Sequence, residues 1–224
     1  AMTGTVYQSM DCFGEAYHFN RLAAEKKPVT QLCNNVALPL IELGQHEEAE
    51  KWLRKALKRD PGNADAMSNM AVLMMRESRP QEARHWAEKA LATPGLSEDG
   101  TRAARENRGY ACLALQDWAP GWEGYEAIIG RKWRPNLYPG LPYWNGETGK
   151  RILVSGEQGL GDEISFASIL PDAMKDNEIV LDCDARLAGL FARSFPDLEV
   201  HGDRFDKHAS WRSGFDAHCL IGSL

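Results

Sequence analysis

The chain has 224 residues, which at ~150 residues per domain allows one domain or two and a proper core in either case. Hydrophobic residues make up 43% and charged residues 26%, a globular mix that excludes a disordered tail, a collagen-like repeat or a disulfide-stapled miniprotein. Residues 1–135 carry 18 Lys and Arg against 18 Asp and Glu, and residues 136–224 carry 8 against 14, so the net charge of −6 lies in the second part. Neither part has the basic footprint that binding through phosphates requires, and nucleic acid is not expected as a partner.

The opening residues show no basic stretch followed by an apolar run, so no signal peptide is expected, and Ala1-Met2 reads as a cleavage scar. The apolar run at Ala71–Met75 is far too short to cross a bilayer. Five cysteines, an odd number without a C-x-x-C pair, fit a reduced, cytoplasmic compartment.

Three segments then align with one another: Asn34–Leu57, Ser68–Leu91 and Glu106–Ile129, offset by 34 and then 38 residues. Small residues recur in one slot of the first helix (Ala37, Ala71, Gly109) and in one slot of the second (Ala49, Ala83, Gly121). A third slot holds Ala56, Ala90 and Ile128. Small side chains let paired helices approach, while Leu40, Leu53, Met74 and Tyr125 fill the space between copies. Gly44 marks a turn, and Pro61 comes just after the end of a helix. The period and pattern resemble the tetratricopeptide (TPR) repeat, an α-solenoid unit. Phe13–Pro28, with Ala16 and Ala23, resembles the back half of a further copy. Residues 1–132 are therefore expected to form three TPR repeats and a partial one.

Asn35, Asn69 and Asn107 share one slot, two residues before the small packing residue. In the TPR region of O-GlcNAc transferase, asparagines at this slot line the concave face and hold extended peptides. The resemblance implies a peptide-binding row with exposed amides, and so a protein or peptide partner. An amide both donates and accepts, which suits a peptide group; the same chemistry would equally bond neighbouring repeats. Trp52 and Trp86, one repeat apart, read as packing or groove-edge residues.

Residues 133–150 lose the helical period and carry breakers at Arg134-Pro135, Pro139-Gly140, Pro142 and Asn145-Gly146. With Trp133, Tyr138, Tyr143 and Trp144 the stretch reads as an ordered linker whose aromatics clamp the solenoid onto the chain beyond residue 150.

From residue 151 the pattern alternates: strands at 151–154, 178–181, 198–200 and 217–221, and helices at 162–175 and 186–194. This predicts a parallel, Rossmann-like α/β domain over 151–224. After the first strand comes Gly156-Glu157-Gln158-Gly159-Leu160-Gly161-Asp162, which is neither a dinucleotide fingerprint nor a phosphate loop. Such a glycine turn lets the backbone approach a ligand, while Asp162 could equally cap the helix it precedes.

Trp122-Glu123-Gly124-Tyr125, then residues 142–147 (PYWNGE), then residues 149–164 (GKRILVSGEQGLGDEI) are similar, in order, to bacterial TPR glycosyltransferase-like proteins, in which a TPR array leads into a GT-B fold. The loop also looks like the first loop of heptosyltransferases. The resemblance implies Asp162 as general base on an acceptor hydroxyl, with Glu157, Gln158, Gly159 and Gly161 forming the acceptor loop. It further implies that a nucleotide sugar is bound only with a second domain, so these residues alone need no cofactor and are expected to be inactive. The alternative is a TPR scaffold whose α/β part is not catalytic. No metal site is expected: His18, His46, His85, His201, His208 and His218 lack ligand spacing. Ser155 lacks a nucleophile elbow.

Overall fold

A computed structural model describes residues 6–7, 9–130, 136–203 and 210–224. Ala1-Met2, Trp133, Arg134-Pro135 and His208 lie outside the described residues. The chain divides into two compact units, Ala1–Ile128 and Ile129–Leu224.

The first unit is a solenoid of helix hairpins. α1 (Phe13–Lys26) packs on α2 (Thr30–Glu42), which pairs with α3 (His46–Arg59). α4 (Ala64–Arg76) pairs with α5 (Pro80–Leu91), and α6 (Glu98–Ala114) with α7 (Trp118–Glu126). The first helix of each pair also packs on the first helix of the next. The recurring small residues do what their spacing implies: Ala37, Ala71, Ala49, Ala83, Ala56, Ala90 and Ile128 are all fully buried. In α1, Ala16 is buried, but Ala24 rather than Ala23 takes the second buried slot. Trp52 and Trp86 pack against the core with Lys55 and Lys89 over their rings, at 4.4 and 4.9 Å.

Each hairpin turns by the same backbone device. Gly44, Ser78 and Gln116 hold φ of 71°, 57° and 60°, and the next amide reaches back to a carbonyl five residues earlier. These are the bonds Gln45 N–H to Leu40 O, Arg79 N–H to Met74 O and Asp117 N–H to Cys112 O, at 2.8, 2.8 and 2.9 Å. This is the Schellman closure of a helix. Only the first copy supplies the glycine that makes the left-handed turn easy.

The second unit is a four-stranded parallel sheet in the order β3-β2-β1-β4. Its strands are β1 (Arg151–Ser155), β2 (Glu178–Asp182), β3 (Glu199–His201) and β4 (Ala217–Leu220). Between β1 and β2 run α8 (Leu160–Phe166), a 3-10 turn (Ala167–Ile169) and α9 (Leu170–Ala173); α10 (Ala185–Ser194) joins β2 to β3. The single helix expected over 162–175 is thus broken, and Pro171 gives the reason: it has no N–H to continue the ladder. β4 ends at Leu220, one residue before its expected end, and Ile221–Ser223 turns into a 3-10 helix.

The two faces of the sheet are covered differently. Ile152, Val154, Leu181 and Cys219 pack with Leu170, Leu187 and Phe191 from the helical side. Leu153 and Val180 on the opposite face meet Tyr138, Leu141, Trp211 and Phe215 instead. The aromatic stretch before β1 is therefore part of this unit's own packing. Tyr143 forms a parallel bridge with His218, flanked by Trp144 N–H to His218 O at 2.8 Å and His218 N–H to Pro142 O at 2.9 Å. The segment covers backbone at the edge of β4, where unpaired groups would invite aggregation.

Candidate functional site

Two places gather the residues singled out in the sequence. The first is the loop after β1, at the carboxyl end of a central strand, where open parallel sheets bind ligands. Two buried carboxylates fasten it. Glu157 is 2% exposed, and its Oε1 accepts from the Gly222 N–H, just past β4, at 3.0 Å. Glu163 is 1% exposed, and its Oε2 accepts from the Asp184 N–H, before α10, at 3.0 Å. Each carboxylate lies where a glycine leaves room. A Cβ on Gly222 would stand 2.5 Å from Glu157 Oε1, and one on Gly156 would stand 2.5 Å from the Glu163 carboxyl group.

Glu157 is thereby turned into the protein, while Gln158, Gly159, Gly161 and Asp162 are exposed. Gln158 takes a left-handed φ of 59°. The Asp162 carboxylate accepts from the Gly159 N–H at 3.1 Å, the contact a third-position acid makes in a capping box. Asp162 and the loop glycines thus share one displayed edge. Glu163 has no role in the sequence reading, although it directly follows Asp162; only the fold reveals that its carboxylate fills the space beside Gly156.

Neighbouring groups are poorly suited to nucleophilic work. Burial, together with the Glu163 and Asp182 carboxylates, pushes the Cys183 thiol up to about 12, so it stays protonated at neutral pH. Burial also pushes His218 below its ordinary value and favours the neutral ring. Among the described residues, no group of His, Cys, Asp and Glu is placed to hold a metal ion. None of their helices is long and apolar enough to cross a membrane.

The second place is an open groove of about 480 Å³ on the first helices of the three repeats. Asn34, Asn35, Asp65, Ser68, Asn69 and Gly100 contribute to its lining. Asn107 lies one helical turn beyond Ala103, the last α6 residue in that lining. The asparagine row differs from expectation in exposure: all three are half-buried. The repeat spacing lets the amides of Asn69 and Asn107 reach the first helix of the preceding repeat. Asn69 Nδ2 donates to Asn34 Oδ1 at 2.8 Å, and Asn107 Nδ2 donates to the Ser68 carbonyl at 3.1 Å. Asn20 Nδ2, on α1, reaches in the opposite direction, donating to the carbonyl of Asn35 on the following helix at 2.9 Å. Asn35 Oδ1 accepts from Gln31 within its own helix at 3.0 Å. Asn35 and Asn69, which line the groove, each keep hydrogen-bonding capacity, since one amide offers two donors and an acceptor.

Comparison with known proteins gives similarities over parts of the chain. Residues 5–94 match the coatomer epsilon subunit family. Protein FlbA of Caulobacter vibrioides is 32% identical over 186 residues, which is 77% of this chain and 30% of FlbA. The chain thus spans about a third of the length of that curated relative. Among solved structures, that of MamA is similar over 58% of this chain and 74% of its own, with a TM-score of 0.45 and 18% identity. YrrB, described as a TPR protein with an unusual peptide-binding site, covers 58% of this chain and 65% of its own, at 0.44 and 18%. An O-GlcNAc transferase mutant from Thermobaculum terrenum covers 90% of this chain and 40% of its own, at 0.48 and 16%.

Proposed function

We propose that this chain recruits a protein by holding an extended peptide segment in the solenoid groove. The observation that carries the reading is the convergence of Asn35 and Asn69, from successive repeats, on one open groove while each keeps amide groups for a ligand. Extended peptides present alternating N–H and C=O groups, and carboxamides can pair with both without reading side chains.

Selection of a randomised ten-residue peptide library on the 224-residue protein tests it. Binders are expected to be lost on Asn35→Ala with Asn69→Ala, and on Ala103→Trp, which fills the groove. Asn107→Ala should leave binding in place and, like Asn69→Ala, lower folding stability by about 1 kcal/mol, because the bonds to the Ser68 carbonyl and to Asn34 Oδ1 each tie two repeats together. Binders that survive all of these changes would place recognition elsewhere.

A second reading concerns the α/β unit, as the acceptor side of a sugar transferase of the GT-B, Rossmann-like kind. What supports it is the exposed carboxylate of Asp162, in the first turn of α8 at the carboxyl edge of a parallel sheet. In that role Asp162 takes the proton of an acceptor hydroxyl, Gln158 and the loop glycines adjoin the acceptor, and buried Glu157 keeps the loop in place. The nucleotide sugar would be held by a second domain. In a protein carrying such a domain, Asp162→Asn should reduce transfer at least about 100-fold, the scale of a lost general base. Unchanged transfer would leave Asp162 as a helix cap and the unit as a non-catalytic part of a scaffold.

A further inference from the structure

The groove is chemically lopsided. Among the described residues of its lining, Asp65 is the one charged side chain; it is exposed and has no ion-pair partner among the described residues. Asn69 stands four residues further along α4, hence on the same face one turn away. One Nδ2 hydrogen of Asn69 is engaged by Asn34, and its Oδ1 receives no hydrogen bond from the described residues. α4 thus brings two acceptor groups to the groove, the Asp65 carboxylate and the Asn69 amide oxygen, beside the Ser68 hydroxyl, which can donate or accept. Arg102, which stands between the lining residues Gly100 and Ala103 on α6, is itself paired with Glu98 at 3.9 Å. Among the described residues, no cation in the lining offsets Asp65.

On this basis, and resting on the peptide-binding reading above, we infer that the groove selects an extended segment carrying a lysine or arginine, whose cationic head sits at Asp65 with Asn69 Oδ1 as a second acceptor. The charge complementarity is specific in sign. A donor-rich cation finds two acceptors one helical turn apart, whereas an acidic side chain at the same position meets a like charge. Asn35 and Asn69 hold the main chain, and Asp65 sets which residue of the partner faces α4.

The test uses the selected ten-residue peptides. They should carry Lys or Arg at one shared position, and selection on an Asp65→Lys protein should replace it with Asp or Glu. For one selected peptide labelled with fluorescein, changing the basic residue to Ala should weaken binding roughly two- to fivefold, the range of an exposed ion pair. The same change should have no effect on the Asp65→Asn protein. Peptides that depend on Asn35 and Asn69 but show no basic position, or no dependence on Asp65, would overturn this inference and leave the groove reading intact. Failure of any peptide to bind would overturn the groove reading itself. Asp65 is exposed, so neither variant endangers the fold.

Discussion

Gly124→Ala should shift the unfolding midpoint of the solenoid strongly downward, by roughly 2–3 kcal/mol of stability. In the third hairpin the two helices touch through backbone. A Cβ on Gly124 would stand 2.5 Å from the Arg105 carbonyl oxygen, 2.5 Å from Gly109 Cα and 2.8 Å from Gly109 N. None of these atoms is the end of a flexible side chain, so the clash can be relieved only by moving α6 and α7 apart. Alanine would gain about 1 kcal/mol of helix propensity over glycine, which the lost packing must exceed. Gly14→Ala separates the two effects: its Cβ meets nothing within 4 Å, so it should be neutral or stabilising. Urea unfolding followed by helical circular dichroism measures both. Equal midpoints for Gly124→Ala and the unchanged protein would refute close backbone packing in this pair.

The same hairpin illustrates what a sequence makes legible. Ala37, Ala71 and Gly109 stand out because close packing admits only small side chains at one slot, and the period repeats the requirement. Ser78 and Gln116 do not stand out as turn residues. Their left-handed backbone is imposed by the amide that closes the helix behind them, a bond made by the main chain and invisible in residue type. The β-rich runs and the glycine loop are local patterns, and their strands are legible to within one or two residues. Pro171 carries a readable signal, a missing N–H, that a continuous apolar period over 162–175 conceals. The covering of β4 by Pro142–Trp144 depends on a contact with His218 more than seventy residues away, and no local rule reports it. At the candidate sites, Asp162 is marked by its motif. Asp65 becomes meaningful only when three helices place it in a groove with Asn69, because a lone exposed aspartate in a helix's first turn is ordinary.

The least legible interaction is also the one whose removal should do most damage. Asp182, fully buried at the end of β2, meets Arg212 Nη2 at 2.9 Å and accepts from the Tyr138 hydroxyl at 2.8 Å. Arg212 also donates to the Tyr138 hydroxyl and, at 2.6 Å, to the Asp203 carbonyl, with its guanidinium 4.6 Å from the Trp211 ring centre. One guanidinium thus ties the segment before β4 and the stretch before β1 to the second strand. Thirty residues separate the pair in sequence, with no motif to join them. Arg212→Met keeps much of the side chain's bulk but leaves a carboxylate buried without its cation, which should destabilise the α/β unit by about 3–5 kcal/mol. Asp182→Asn combined with Arg212→Met removes both charges and should recover much of that loss, because a buried pair offsets its own desolvation only in part. Urea unfolding followed by tryptophan fluorescence reads these two variants and Asp182→Asn alone, Trp144 and Trp211 both lying in this unit. A strongly non-additive cycle is the expected result. If Arg212→Met unfolds at the same urea concentration as the unchanged protein, the ion pair does not hold this face of the sheet, and packing of Tyr138, Leu141, Trp211 and Phe215 must suffice alone.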